Sequence, residues 1–378
     1  MTKILLLLTF LLFSLGQLGR VSLFNQQINF YLYEVGMAIL LIVYFLKLKF
    51  TPLKKLFDSQ HWIFWGWIYL LISFFVKFFD YSLFENLVSF LYLLRLFFYF
   101  LFFVYLYFCY QKKTKKELVN GLLIFIFLTI VSSLIQFFLY PNLRNLAYLG
   151  WDVHQNRVFG LFFDTSIAAS VYGLLFLFWI NYKEKKYFYF LPFLFLLIYF
   201  TYSRFVIFSF LIVLLLFFLK KSSWKNILLI LIIFGLLFVF FPQRSGLGVN
   251  FNRVFSIESR IKENILGIKI GMKDPLFGIG YNRIRFFRQK NNLLWKSDFN
   301  IYHGASSFQS SYVTIFVTTG IIGLIFFGKT IFQLVRLNSL FFYLVSFIAL
   351  CSLADNLLLH PFIIFILSSV FIIFDRKQ

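Results

Sequence analysis

Arginine is placed selectively in this chain. Arg95 lies inside an apolar run, Arg157 and Arg204 stand beside the starts of apolar runs, and Arg260 and Arg283 fall in the polar stretch 242–308. A flat guanidinium fork grips two phosphate oxygens at once, so this pattern suits a phosphorylated ligand. His303, near the end of the same polar stretch, is the candidate general base, because an imidazole near its ordinary pKa can take a proton at neutral pH. His154 and His360 are weaker candidates, and a carboxylate such as Asp298 is an alternative base. The Gly278–Gly280 pair has no strand before it, and there is no Walker lysine motif, so the phosphate is not read as a nucleotide's. Cys109 and Cys351 both lie in or beside apolar segments, which supports neither a disulfide framework nor a zinc site. No metal and no cofactor are expected.

What must position these groups is a membrane bundle. Of the 378 residues, 61% are hydrophobic and 13% charged, which excludes an ordinary soluble domain. Apolar runs approaching the ~20 residues that span a bilayer predict an all-α polytopic protein of about twelve transmembrane helices. They are placed at 3–19, 30–46, 62–79, 87–110, 118–139, 161–181, 187–202, 204–219, 225–241, 309–328, 339–356 and 361–374. The whole chain, 1–378, reads as one polytopic domain, with the loop 242–308 between the ninth and tenth helices. The N-terminus resembles a signal peptide but offers no small-x-small cleavage site, so its helix is expected to be retained.

Charge sets the orientation. With the N-terminus cytoplasmic, the inner segments hold nineteen basic residues, clustered around Lys54, Lys113, Lys185 and Lys220, against Arg20, Arg144, Arg157 and Arg204 in the short outer loops. That bias places both termini in the cytoplasm and the long loop outside. It also accounts for most of the net charge of +22 without nucleic acid. Glu34, Lys77, Arg95, Asp164 and Asp355 then all fall toward the outer ends of their helices. Arg95, about 12 Å along its helix, is expected to line an outward-opening cavity, paired with Glu34 or Asp164. Within the long loop, Ile261, Ile265, Ile268 and Met272 make one apolar stripe, predicting an amphipathic helix over 259–273 on the membrane surface.

Several short motifs then appear in order. Arg157-Val158-Phe159-Gly160 opens a helix, and Thr201-Tyr202-Ser203-Arg204 forms a turn between two apolar runs. Ser259-Arg260 is followed by Pro275-Leu276-Phe277-Gly278-Ile279-Gly280, and Ser311-Tyr312 precedes Gly320-Ile321-Ile322-Gly323. Over 157–328 this series resembles the O-antigen ligase and polymerase superfamily, bacterial polytopic glycosyltransferases; the first five helices match it only in hydropathy.

The resemblance implies a metal-independent transfer in the cytoplasmic (inner) membrane, serving cell-surface polysaccharide synthesis. The donor would be an undecaprenyl-diphosphate-linked glycan, and the acceptor a hydroxyl of a glycan, lipid or protein, with membrane lipids around both. Arg260 and Arg204 would stabilise the leaving diphosphate, with Arg157, Arg95 and Arg283 in support. Where the family usually carries a histidine, about eleven residues before the glycine pair, this chain has Gln309, which cannot take a proton at neutral pH. Gln309 is therefore assigned to substrate binding and His303 to the base. A lipid-linked glycan flippase or transporter is an alternative, but no repeat relates the two halves. A non-catalytic relative that binds polyprenyl diphosphate is another.

Overall fold

A computed structural model of the chain describes residues 2–109, 112–182, 188–221, 255–293, 303–337 and 339–374, with isolated positions between 224 and 235. The span expected at 225–241 falls almost wholly outside the described residues, as do Arg244, Arg253 and Asp298. Of His303 only the backbone is described, at the start of the 3-10 turn His303–Ser306.

The described chain is mostly helical: α1 (Thr2–Ser14), α2 (Leu32–Leu48), α3 (Thr51–Val76), α4 (Leu83–Phe108), α5 (Lys112–Leu139), α6 (Thr165–Asn181), α7 (Phe190–Phe200) and α8 (Arg204–Lys220) come first. They are followed by α9 (Phe255–Gly271), α10 (Ile284–Lys290), α11 (Ser311–Leu337), α12 (Ser339–Cys351) and α13 (Pro361–Phe374). Among the described residues, 4 helical stretches are long and apolar enough to cross a membrane: Thr51–Asp80, Leu83–Phe108, Lys115–Leu139 and Gly304–Gln333. Thr2–Ser14, Thr165–Asn181, Phe190–Phe200, Phe341–Cys351 and Pro361–Ile373 are shorter apolar helices.

Helix α6 is the axis of the bundle. It is buried on every face from Thr165 to Trp179, as expected of a helix that is apolar all round. Asp164 caps it, accepting from the Ser166 and Ile167 amides at 2.7 and 2.8 Å. Helices α7, α8, α12 and α13 pack around it. Gly173 lets α12 approach, since a Cβ there would overlap the Phe347 ring. Aromatic rings fill the space between α1, α2, α5 and α13, with Phe13 centred 4.6 Å from Phe125 and 4.4 Å from Phe365.

Three features depart from the sequence expectations. The fold is not purely helical: β1 (Arg20–Leu23) and β2 (Ile28–Tyr31) form an antiparallel hairpin, with Arg20 opposite Tyr31. Phe24, Asn25 and Gln26 turn the chain through positive φ. Tyr92 ties this hairpin to α4, accepting from the Asn29 amide at 3.2 Å. Helix α3 begins eleven residues before the expected start at 62, with Pro52 in its first turn and a break at Gln60 (φ −144°, ψ 46°). The long loop, expected to carry one helix over 259–273, holds α9 four residues earlier and also the short helix α10.

Helix α9 divides its faces as its sequence dictates. Ile257, Ile261, Ile265, Ile268 and Met272 are exposed, while Leu266 and Ile270 pack with Ile279, Ile284, Phe308 and Val317. Gly267 and Gly271 bring it against Val313 and Phe316 of α11.

Candidate functional site

At one end of the bundle a cavity of about 410 Å³ opens between the hairpin, α4, α11 and the segments 150–167, 281–286, 304–309 and 355–361. Its volume falls in the ~300–1,000 Å³ range of small-ligand sites. Its ionisable lining divides into two groups.

The first group is basic and aromatic: Arg20, Arg95 and Arg285 with Tyr31, Tyr92 and Tyr281. Arg95 is paired with Glu34 on α2, Nε and Nη2 each lying 2.7 Å from Oε1. This settles the choice between Glu34 and Asp164. Tyr99 donates to the same carboxylate oxygen at 2.7 Å, and the Tyr31 ring lies 5.1 Å from the Arg95 guanidinium. Arg20 donates to Gln26 at 2.8 Å and sits 4.9 Å over the Trp151 ring. Burial pulls Arg285 and Arg20 below the usual arginine range, and for Arg285 the like charge of Arg20 adds to this.

The second group is acidic: Asp152, Asp164 and Asp355, beside Asn356 and His360. Arg260 of α9 braces it, with Nη1 3.0 Å from Asp355 Oδ1 and 2.8 Å from the Ala354 carbonyl. Burial pushes the Asp355 carboxyl up, Arg260 pulls it down, Asp164 pushes it up again, and the balance is about 6. Burial also raises Asp152, with Asp164 adding to the effect. His360 is pushed down to about 4 by burial, and its Nδ1 accepts from the Phe362 amide at 3.3 Å.

Of the residues singled out in the sequence, Arg95 and Gln309 line the cavity, together with Asp164, Asp355 and His360. Arg157, Arg204 and Arg260 are brought together just behind the acidic group. Buried Arg157 donates through Nε to the Thr201 carbonyl at 2.8 Å, and the Val158 amide donates to Phe200 at 2.9 Å. Arg204 starts α8 next to that turn, within reach of the Arg260 charge. Gln136 holds the 157–160 segment in place, its Oε1 accepting from the Phe159 and Gly160 amides at 2.9 and 3.0 Å.

Arg283 lies elsewhere. It is wholly buried, donates to the Phe74 carbonyl and to Asn86, and stacks against the Phe74 and Tyr81 rings. Burial lowers it to about 10. His154 is buried beside Phe159 and does not line the cavity.

The two glycine motifs turn out to be halves of one joint. Helix α11 breaks at Gly320 (φ 68°, ψ −172°), and the 275–280 turn docks into the break. The Ile279 amide donates to Val317 at 2.9 Å and the Ile321 amide to Pro275 at 2.8 Å. A Cβ on Gly320 would overlap the Leu276 carbonyl, and one on Gly278 the Val317 carbonyl. From α3, the Tyr69 hydroxyl reaches the Leu276 and Thr319 carbonyls at 2.7 and 2.5 Å, and Ser73 donates to Phe277 at 2.7 Å.

Residues 189–328 match the O-antigen ligase family model. Over this segment the chain is similar to O-antigen ligases. No curated protein matches the chain. The matched segment contains α7 to α10, the docking turn and the broken part of α11, and gives the cavity Tyr281, Arg285, Gln309, Thr314 and Thr318. Arg20, Arg95, Asp152, Asp164, Asp355 and His360 come from outside it. Among the described residues, the 4 helical stretches long and apolar enough to cross a membrane fit an integral membrane protein.

The sequence placed Arg20 only among the outer-loop charges and Asp355 only toward the outer end of its helix, and gave Arg285 no role. The preference for arginine over lysine at one end of the bundle is the signal that could have found the two arginines.

Proposed function

We propose that the protein transfers a glycan from polyprenyl diphosphate to an acceptor hydroxyl at the outer face of the cytoplasmic membrane. What carries this reading is the cavity: the segment that matches the O-antigen ligase family forms part of its wall, and both basic and acidic groups line it. The basic group answers the charge that develops on the leaving diphosphate, and fixed cations are effective there because they need no rearrangement during the reaction. Arg20 and Arg285 face the donor phosphates, and Arg95 is held beside them by Glu34. Arg157, Arg204 and Arg260 form a second basic set that orders the acidic group and tunes its charge. Gln309 binds the sugar through its amide, which can both donate and accept. The lysine bias supports an outward-facing cavity. The exposed stripe of α9 supports lipid contact at its rim.

The donor arrives activated as a diphosphate ester, so the reaction draws on no nucleotide and no metal. The test is incubation of the detergent-solubilised protein with undecaprenyl-diphosphate-linked oligosaccharides and an acceptor panel, with EDTA and without nucleotide. The expected result is release of undecaprenyl diphosphate together with a lengthened or newly attached glycan. The accepted acceptor separates ligase, polymerase and protein-glycosylating activities. Gln309 supports a second reading, a relative that binds the donor without transferring it; saturable donor binding with no release would be its signature.

A further inference from the structure

We propose that Asp355 is the proton acceptor for the attacking hydroxyl, in the role that a histidine at position 309 would otherwise fill. The proposal rests on the glycan-transfer reading above and adds to it the atom that receives the proton.

Asp355 lines the cavity yet is only 8% exposed. Its two oxygens differ. Oδ1 lies 3.0 Å from Arg260 Nη1, and the same nitrogen bonds the Ala354 carbonyl at 2.8 Å, so the carboxylate plane is held from one side. Oδ2 is buried and makes no hydrogen bond of good geometry among the described residues, the Ser166 hydroxyl acting on the carboxyl from the first turn of α6. A buried carboxylate oxygen without a well-placed donor is costly, and native structures rarely leave one so. An acceptor hydroxyl entering the cavity supplies that donor. The neighbouring Asn356 Oδ1 is buried without a partner in the same way, giving the sugar a second acceptor at the same place.

Gln309 and His360 serve less well. Gln309 has no proton-accepting form at neutral pH. His360 already uses Nδ1 as an acceptor for the Phe362 amide. The groups acting on Asp355 are Arg260 from α9, Asp164 at the cap of α6 and Ser166 in its first turn, with Asp152 acting on Arg260. Their balance with burial, about 6, leaves Asp355 ionised at neutral pH but more basic than an ordinary carboxylate.

In the step itself, a lone pair on the acceptor oxygen forms the bond to the anomeric carbon. The bond from that carbon to the diphosphate oxygen breaks, and its electron pair leaves with polyprenyl diphosphate. The hydroxyl proton passes to Asp355 Oδ2 and from there to water.

The experiment compares wild type, Asp355→Asn, Asp355→Gly and His303→Ala for release of undecaprenyl diphosphate from the oligosaccharide donors, across about pH 5–8. Asp355→Asn is expected to lose ~10²–10⁴-fold in turnover while still binding donor, the usual range for a lost general base. Added formate should restore part of the turnover of Asp355→Gly, which a purely structural carboxylate would not permit. Wild-type kcat should fall on the acid side of about 6, and the same fall should persist in His303→Ala. Turnover of Asp355→Asn within about threefold of wild type would overturn the proposal. So would an acid limb that disappears in His303→Ala. Should the Asp355 variants fail to fold, the wild-type and His303→Ala profiles decide between these outcomes. A wild-type chain that releases no diphosphate from any donor refutes the transfer reading itself.

Discussion

Arg95 sits well inside an apolar helix, and Glu34 makes that position tolerable. The side chains are 17% and 10% exposed, so neither charge is well hydrated and each depends on the other. Removing one partner of such a pair strands the other, at a cost of about 3–5 kcal/mol. Glu34→Gln should therefore lower the melting temperature in detergent markedly, and Glu34→Gln with Arg95→Met should recover part of the loss. At Arg260, Nη1 alone holds both Asp355 and the Ala354 carbonyl, and a lysine ammonium, on a shorter and freely rotating stem, does not fix that nitrogen at the same place. Arg260→Lys should cut turnover by at least about tenfold, roughly 1.4 kcal/mol, while melting stays close to wild type. A wild-type rate in that variant would remove Arg260 from the chemistry. The Asp355 carboxyl also couples stability to pH. Its folded value is raised from 3.8 to about 6, so the folded chain binds the proton more tightly than the unfolded one. This group's contribution is greatest below about 4, declines as pH rises to about 6 and is level above that. Asp355→Asn should flatten the melting temperature across that window. Arg95 was legible in the sequence because a charge in an apolar run is conspicuous. Arg20, Arg285 and Asp355 were not, because near helix ends they look like ordinary interfacial charges, and only tertiary packing turns them toward one cavity.

Among the elements, α9 was legible because its isoleucines repeat at helical spacing and its exposed stripe keeps that period. The hairpin was hidden because two four-residue strands are too short to establish an alternation against the apolar runs on either side. The early start of α3 was hidden because its first turns carry Lys54, Lys55 and Asp58, which hydropathy assigns to a loop. The glycine pairs were read as motif signatures, whereas the structure gives them a mechanical reason. Gly320 combines a positive φ with backbone contact on the Leu276 side. Gly320→Ala should destabilise the protein by about 2 kcal/mol or more through strain and overlap together. Thermal melting would register this, and an unchanged melting temperature would show that the joint does not bear on stability. Tyr69→Phe, which removes the hydroxyl shared by Leu276 and Thr319, should cost a smaller ~1 kcal/mol.

For the whole molecule, the proposed orientation predicts a labelling pattern. In a chain with Cys109 and Cys351 replaced by alanine, a cysteine at exposed Asn292 should react with a membrane-impermeant maleimide on intact cells. A cysteine at exposed Ser59, just after the Lys54–Lys55 cluster, should react only after permeabilisation. The reverse pattern would invert the topology and with it the side on which transfer is proposed. The cavity was foreseen at the ends of the helices, but its composition was not, because its walls come from segments as distant as Arg20 and His360. The joint at Gly320 has a consequence for exchange between relatives. The turn at 275–280 and the break it occupies lie some forty residues apart in sequence, yet neither is complete without the other. A hybrid that swaps the polar loop alone would pair a foreign key with a resident lock. The smallest graft expected to work runs through Gly323 and carries a matching partner for Tyr69, so exchange of the loop should proceed in that unit rather than loop by loop.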